Sequence, residues 1–181
     1  MPKASGGTSS GTLDQEMIAL FLILMTMPFT KQTVPTDNPV FRPLPQQEIE
    51  RLEKQRAFVV QLAAKHFPDD RLSDSKQTIA ILQKIVDSAI IGKEMTWELQ
   101  SLGVVFGDAL IGAIPGLAWM EVTDSYGTDP ALIYKDTTLQ LNPLTMISKR
   151  IEDAREVDLL DLTEALREYV DREGPQADKR K

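Results

Sequence analysis

Residues 96–141 read TWELQSLGVVFGDALIGAIPGLAWMEVTDSYGTDPALIYKDTTLQL, and a change of period inside this stretch decides the fold class. Up to Ile114 the apolar residues Leu99, Leu102, Phe106, Leu110 and Ala113 recur at three- and four-residue spacing, which predicts a helix with one buried stripe. From Gly116 the spacing falls to two, the side-chain alternation of a strand. Residues 117–123, 131–135 and 138–141 read as strands, with a turn-rich loop at 125–130 around Gly127, so the chain reverses twice in an antiparallel meander of about three strands. Gly103 and Gly107 lie on nearly the same stripe as the helix leucines. Each lowers helix propensity by about 1 kcal/mol relative to alanine, so a close backbone approach to a neighbouring element is the expected compensation.

Two helices are expected upstream. Ile49, Leu52, Val59, Leu62 and Ala63 mark one face of residues 45–66, opened by Pro45 and stopped before Pro68. Ile79, Leu82, Val86, Ala89 and Ile90 mark another over 75–91, with Asp74 or Ser75 as cap. Downstream, Asn142-Pro143 supplies a cap and first-turn pair for a helix bearing Leu144, Ile147 and Ile151. Leu159, Leu162, Leu166, Tyr169 and Val170 mark a final helix ending near Gly174. The predicted fold is α+β: N-terminal helices packed on a small antiparallel sheet of about three strands, followed by C-terminal helices.

Residues 46–174 are thus expected to form a single α+β domain. Ahead of it lie a Gly/Ser-rich tail at 1–12, expected to be disordered, an apolar segment at 17–29 (MIALFLILMTMPF) and a Pro-rich extended linker at 33–45. Residues 175–181 read as a charged, solvated tail. The apolar segment has the length of a signal-peptide core but falls short of the roughly 18 residues that span a bilayer. Lys3 is the sole positive charge before it, Asp14 and Glu16 adjoin it, and no A-x-A-like cleavage site follows. The segment reads as a structural N-terminal helix or an export signal; the expected compartment is the cytoplasm, with export as the alternative if 17–29 acts as a signal segment.

Composition restricts the chemistry. Twenty Lys and Arg against 27 Asp and Glu give a formal charge of -7, which disfavours nucleic acid as a partner. With no cysteine, thiolate nucleophiles and cysteine-built zinc sites are excluded, and His66 is the single imidazole. The sequence contains no H-E-x-x-H, Walker loop or G-x-G-x-x-G, and the G-x-S-x-G match at 7–11 sits in a polar tail without the strand and helix that motif requires.

What remains is a pattern of charge. Between Glu94 and Tyr134 stand Glu94, Glu98, Asp108, Glu121, Asp124 and Asp129, with no Lys or Arg. Carboxylates in such a run repel one another until something positive arrives, so they form either an acidic surface for a basic partner or a face neutralised in space by Lys149, Arg150 or Arg155. Asp124 and Asp129 bracket a loop, but the EF-hand spacing is absent, and neither metal nor cofactor is expected. Trp119 shares one strand face with Leu117 and Glu121, opposite Ala118, Met120 and Val122. It is either an exposed anchor for a partner or covered by a helix, and Trp97 is expected in the core. The binding candidates are Asp108, Trp119, Glu121, Asp124, Asp129, Lys149 and Arg150, in a non-enzymatic interaction module for a protein with a basic surface. The alternative is a hydrolase or metal-dependent enzyme using Asp108, Glu121, Asp124 and Asp129.

Several of these residues also carry a likeness. Over residues 47–166 the chain resembles a bacterial family known only as a domain of unknown function, through residues 50–55, LQSLGVVFGD at 99–108, LAW at 117–119, DSYGTDPAL at 124–132, Pro143 and Lys149-Arg150. Where that family places an acidic-Gly pair after the Lys-Arg, this chain has Asp153-Ala154-Arg155-Glu156. The resemblance implies an α+β fold and brings no reaction with it.

Overall fold

The structure is a computed structural model that describes residues 39–179. The tail at 1–12, the apolar segment at 17–29, residues 33–38 of the linker and the last two residues lie outside the described residues. Among the described residues five α-helices and a four-stranded antiparallel sheet follow the order β1 (Val40–Arg42), α1 (Gln46–His66), α2 (Ser75–Asp87), α3 (Thr96–Ala113), β2 (Leu117–Asp124), β3 (Gly127–Tyr134), β4 (Gln140–Leu141), α4 (Pro143–Glu152) and α5 (Leu159–Glu173). A 3-10 turn, Gly174–Gln176, closes the series.

The sheet is a meander in the order β1-β2-β3-β4, one strand larger than expected. The helices therefore do not simply precede the sheet, because the chain enters through β1. Val40-Phe41-Arg42 belongs to the predicted linker, and its extended backbone pairs with β2 in the register Phe41↔Val122. Pro39 and Pro43 bound it, and a proline can offer no ladder donor, which limits it to a short edge strand. β3 begins at Gly127 and not at Ala131, and it contains Pro130. β4 pairs only with Leu132 and Ile133, so β3 is an edge at Pro130, where proline is tolerated.

α3 is buried nearly all round, from Leu99 through Ser101, Leu102 and Phe106 to Leu110. A helix apolar on every face has to be enclosed, and α1, α2 and α4 pack against it. Its glycines mark the closest approaches. A Cβ on Gly103 would stand 2.5 Å from the Pro143 carbonyl oxygen and 2.7 Å from the Leu144 Cα, while one on Gly107 would meet the Trp119 ring. Leu117, Leu132 and Leu141 complete this core from the sheet, with Trp119 packed against it. The Trp119 face is thus the one turned to the helices. Val122, Ala131 and Ile133 form a separate small cluster with Phe41 and Met120.

Capping follows the sequence in part. Asp74 accepts from the Gln77 N–H, and Asp158 accepts from the Leu160 and Asp161 N–H groups, which satisfies first-turn donors. α2 ends at Asp87, short of the predicted Ile91, because Ala89 turns into the left-handed region at φ 49°. Pro143 opens α4 as expected, but Asn142 gives it no side-chain cap, its Oδ1 accepting instead from the Gln140 amide. Gln83 on α2 ties in the start of α5: its Nε2 donates to the Val157 carbonyl at 2.8 Å and its Oε1 accepts from the Leu159 N–H at 2.9 Å. The C-terminal residues fold back on the sheet end, where the Thr138 N–H donates to the Asp178 carbonyl and Thr137 bridges Lys179. Among the described residues no helix is long and apolar enough to cross a membrane.

Candidate functional site

The seven candidate residues separate into three groups. Asp108 and Trp119 meet in a clamp. From the helix α1, Arg56 donates through Nε to Asp108 Oδ2 at 2.6 Å and through Nη2 to Oδ1 at 2.9 Å, and the Trp119 Nε1 donates to that same Oδ1 at 2.9 Å. One carboxylate joins α1, α3 and β2. Asp108 was expected either on an acidic surface or neutralised by Lys149, Arg150 or Arg155; its partner is instead Arg56, 52 residues upstream. The hydrogen bond that Arg56 donates to Asp108 raises the Arg56 pKa above its ordinary value, against the opposing effect of desolvation.

Both partners of this ion pair keep about a third of their side-chain surface exposed, 33% and 34%, so water replaces part of what a substitution removes. Asp108→Ala is therefore expected to cost about 1–2 kcal/mol, more than an ordinary surface pair because three hydrogen bonds are lost together. A urea titration followed by tryptophan fluorescence measures this, and an unchanged midpoint would show that the clamp contributes nothing.

Asp124, Asp129 and Lys149 come together elsewhere. A cleft of about 500 Å3 opens at the end of the sheet, lined by Asp124, Tyr126 and Asp129 from the β2–β3 hairpin, Arg51 from α1, Asn142 before α4, and Lys149 on α4. Local bonding holds the hairpin tip. Asp124 Oδ1 accepts from the Tyr126 N–H at 2.7 Å, the hydroxyls of Thr123 and Thr128 are 2.9 Å apart, and Gly127 takes φ 142°, a conformation that L side chains rarely adopt. Tyr126, 88% exposed, stands at the mouth. Val122, Pro130 and Leu144 supply apolar lining. Arg51 is engaged by Glu48 at 2.7 Å, whereas no ion pair among the described residues uses Asp124, Asp129 or Lys149.

Glu121 and Arg150 belong to neither group. Alternation along β2 turns Glu121 away from Val122 and Asp124, and its cross-strand partners are Arg42 and Pro130. Arg150 lines a neighbouring cleft between α4 and α5. The four carboxylates of the enzymatic alternative are therefore dispersed, with only Asp124 and Asp129 sharing a cleft. Among the described residues no three His, Cys, Asp or Glu side chains converge as a metal ion requires. Trp97, expected in the core, is 44% exposed and meets Phe58 edge-on with ring centroids 5.1 Å apart. Arg51 and Arg56 were not singled out as site residues in the sequence, and Asn142 was read there only as a helix cap. A helical arginine carries no local mark of a partner fifty residues away, but Tyr126, between Asp124 and Gly127 in a turn, could have been found as an exposed loop aromatic.

Comparison with known proteins adds fold and family. No curated protein matches the chain. A crystal structure from Bacteroides thetaiotaomicron is similar over 72% of this chain with a TM-score of 0.63 at 14% sequence identity. That likeness concerns the fold alone, and this chain spans about half of the other, 47% of its length. From α2 through the first turn of α5, residues 78–162 match the family described as a domain of unknown function, DUF3806.

Proposed function

We propose that the protein is a non-enzymatic binding module whose sheet-end cleft takes a basic side chain from a polypeptide partner. The observation that carries this reading is that Asp124 and Asp129, on a hairpin tip braced by its own hydrogen bonds, line an open cleft and enter no ion pair among the described residues. A partner's cation relieves the repulsion between them, the apolar floor accepts the methylenes of a Lys or Arg stem, and Tyr126 offers an aromatic face at the entrance. Lys149 on the opposite wall opposes this binding. It also sets a direction, because a basic group is drawn to the hairpin side.

The test uses a tetralysine peptide titrated into the full chain by calorimetry. Asp124→Asn with Asp129→Asn keeps shape and removes two charges, each worth roughly 0.2–1 kcal/mol at an accessible site, so binding should weaken about fivefold and lose most of its salt dependence while the thermal midpoint holds. Wild-type affinity and salt slope in the double variant would refute the proposal. So would a falling midpoint, since it would make these carboxylates internal partners of Lys149.

A further inference from the structure

Lys149 stands on a ridge. On its far side a second cleft, of about 470 Å3, runs between α4 and α5 and shares Gln140, Asn142, Thr145 and Lys149 with the first. Among the described residues its charged lining is Lys149, Arg150 and Arg155, with no carboxylate. This is a cationic hollow in a chain of formal charge -7.

The three cations are not equally committed. Arg150 Nη1 donates to the Met146 carbonyl at 2.7 Å, one helical turn back, which fixes the guanidinium on α4, while its Nε and Nη2 have no hydrogen-bond partner among the described residues. Arg155 pairs with Asp153 at 2.6 Å, but both side chains are well exposed, and such a pair contributes little and exchanges readily. Lys149 is exposed and enters no ion pair among the described residues. Leu166 and Tyr169 on α5 give the hollow an apolar wall.

We propose that this second cleft is an anion subsite for a carboxylate side chain, presented by the same partner segment that lays its basic residue between Asp124 and Asp129. The shared partner rests on the function proposed above; the anion subsite stands on its own geometry. A carboxylate fits better than a phosphate dianion for two reasons. Lys149 and Arg150 lie in the last turn of α4, where the negative end of the helix dipole lowers the potential, and a half-satisfied guanidinium offers one planar fork. A segment crossing the ridge therefore carries opposite charges a few residues apart.

Amide nuclear magnetic resonance of the full chain tests this with three probes: tetraglutamate, tetralysine and inorganic phosphate. Tetraglutamate should shift Thr145, Lys149, Arg150 and Tyr169 saturably, and Arg150→Gln should weaken that binding at least fivefold without changing the tetralysine response. Lys149→Gln, at an exposed position, should weaken tetraglutamate and strengthen tetralysine, an opposition that loss of fold cannot produce. Unchanged tetraglutamate affinity in both variants overturns the subsite, as does tighter saturation of these amides by phosphate. Loss of the tetralysine response alone would sink the proposed function and leave the anion subsite standing. A peptide bearing both Lys and Glu should bind at least tenfold tighter than either homopeptide, since its second contact is intramolecular; no gain overturns the shared partner.

Discussion

Gly103→Leu is expected to lower the thermal midpoint by roughly 10 °C or to prevent folding. The cause lies in the backbone. The first atom of any side chain at this position would stand 2.5 Å from the Pro143 carbonyl oxygen and 2.7 Å from the Leu144 carbonyl oxygen, and neither can rotate aside as a side chain can. Relief requires α3 and α4 to separate where Leu102, Phe106 and Ile147 are buried. Ordinary overpacking costs about 1–3 kcal/mol, and a backbone obstruction should reach the top of that range or exceed it. At roughly 2–4 °C per kcal/mol for a chain of this size the shift is readily measured by calorimetry. Gly92→Ala is the control, because a Cβ there meets nothing within 4 Å. Equal midpoints for the two variants would show that α3 and α4 do not touch at Gly103.

The second large effect has the opposite sign. Gln55 is 0% exposed on the buried stripe of α1 that also holds Leu52, Val59 and Ala63, and neither its Nε2 nor its Oε1 has a hydrogen-bond partner among the described residues. Withdrawing an amide from water without compensation costs about 1–3 kcal/mol in mutational series. Gln55→Met keeps length and flexibility while removing both polar atoms, and should raise stability by about 1–2 kcal/mol, visible as a higher urea midpoint at unchanged slope. A lower midpoint would show that the amide is hydrogen-bonded in solution.

Much of the fold was legible because periodicity reports burial directly. The stripes at Leu52, Val59 and Ala63, and at Leu99, Leu102 and Phe106, identified two of the packed helices, and Gly103 signalled a close approach to a neighbour, without saying that the neighbour is α4. β1 was not legible. Three residues between prolines are too few to alternate, and their strand character comes from β2 beside them. The α2 terminus was overrun because Ile90 and Ile91 continue an apolar pattern after the backbone has turned at Ala89. In the candidate site, charge along the chain found Asp124, Asp129 and Lys149 but could not say which are neighbours. It grouped Glu121 with Asp124, which alternation separates, and it left Asp108 without Arg56, because a contact across 52 residues leaves no trace in local spacing.

The two hydrogen bonds of Gln83 have a topological consequence. They join α2 to the Val157–Leu159 backbone across 74 and 76 positions, so the stretch that matches the domain family, residues 78–162, has its beginning and end stapled side by side by a single amide. Closing a loop of that length once costs only slowly growing entropy, whereas leaving its ends apart would oblige every flanking segment to bridge the gap. A polypeptide whose two ends emerge together is portable. It can be set between different neighbours, such as β1 and α1 on one side and the rest of α5 on the other, with only the flanks changing course.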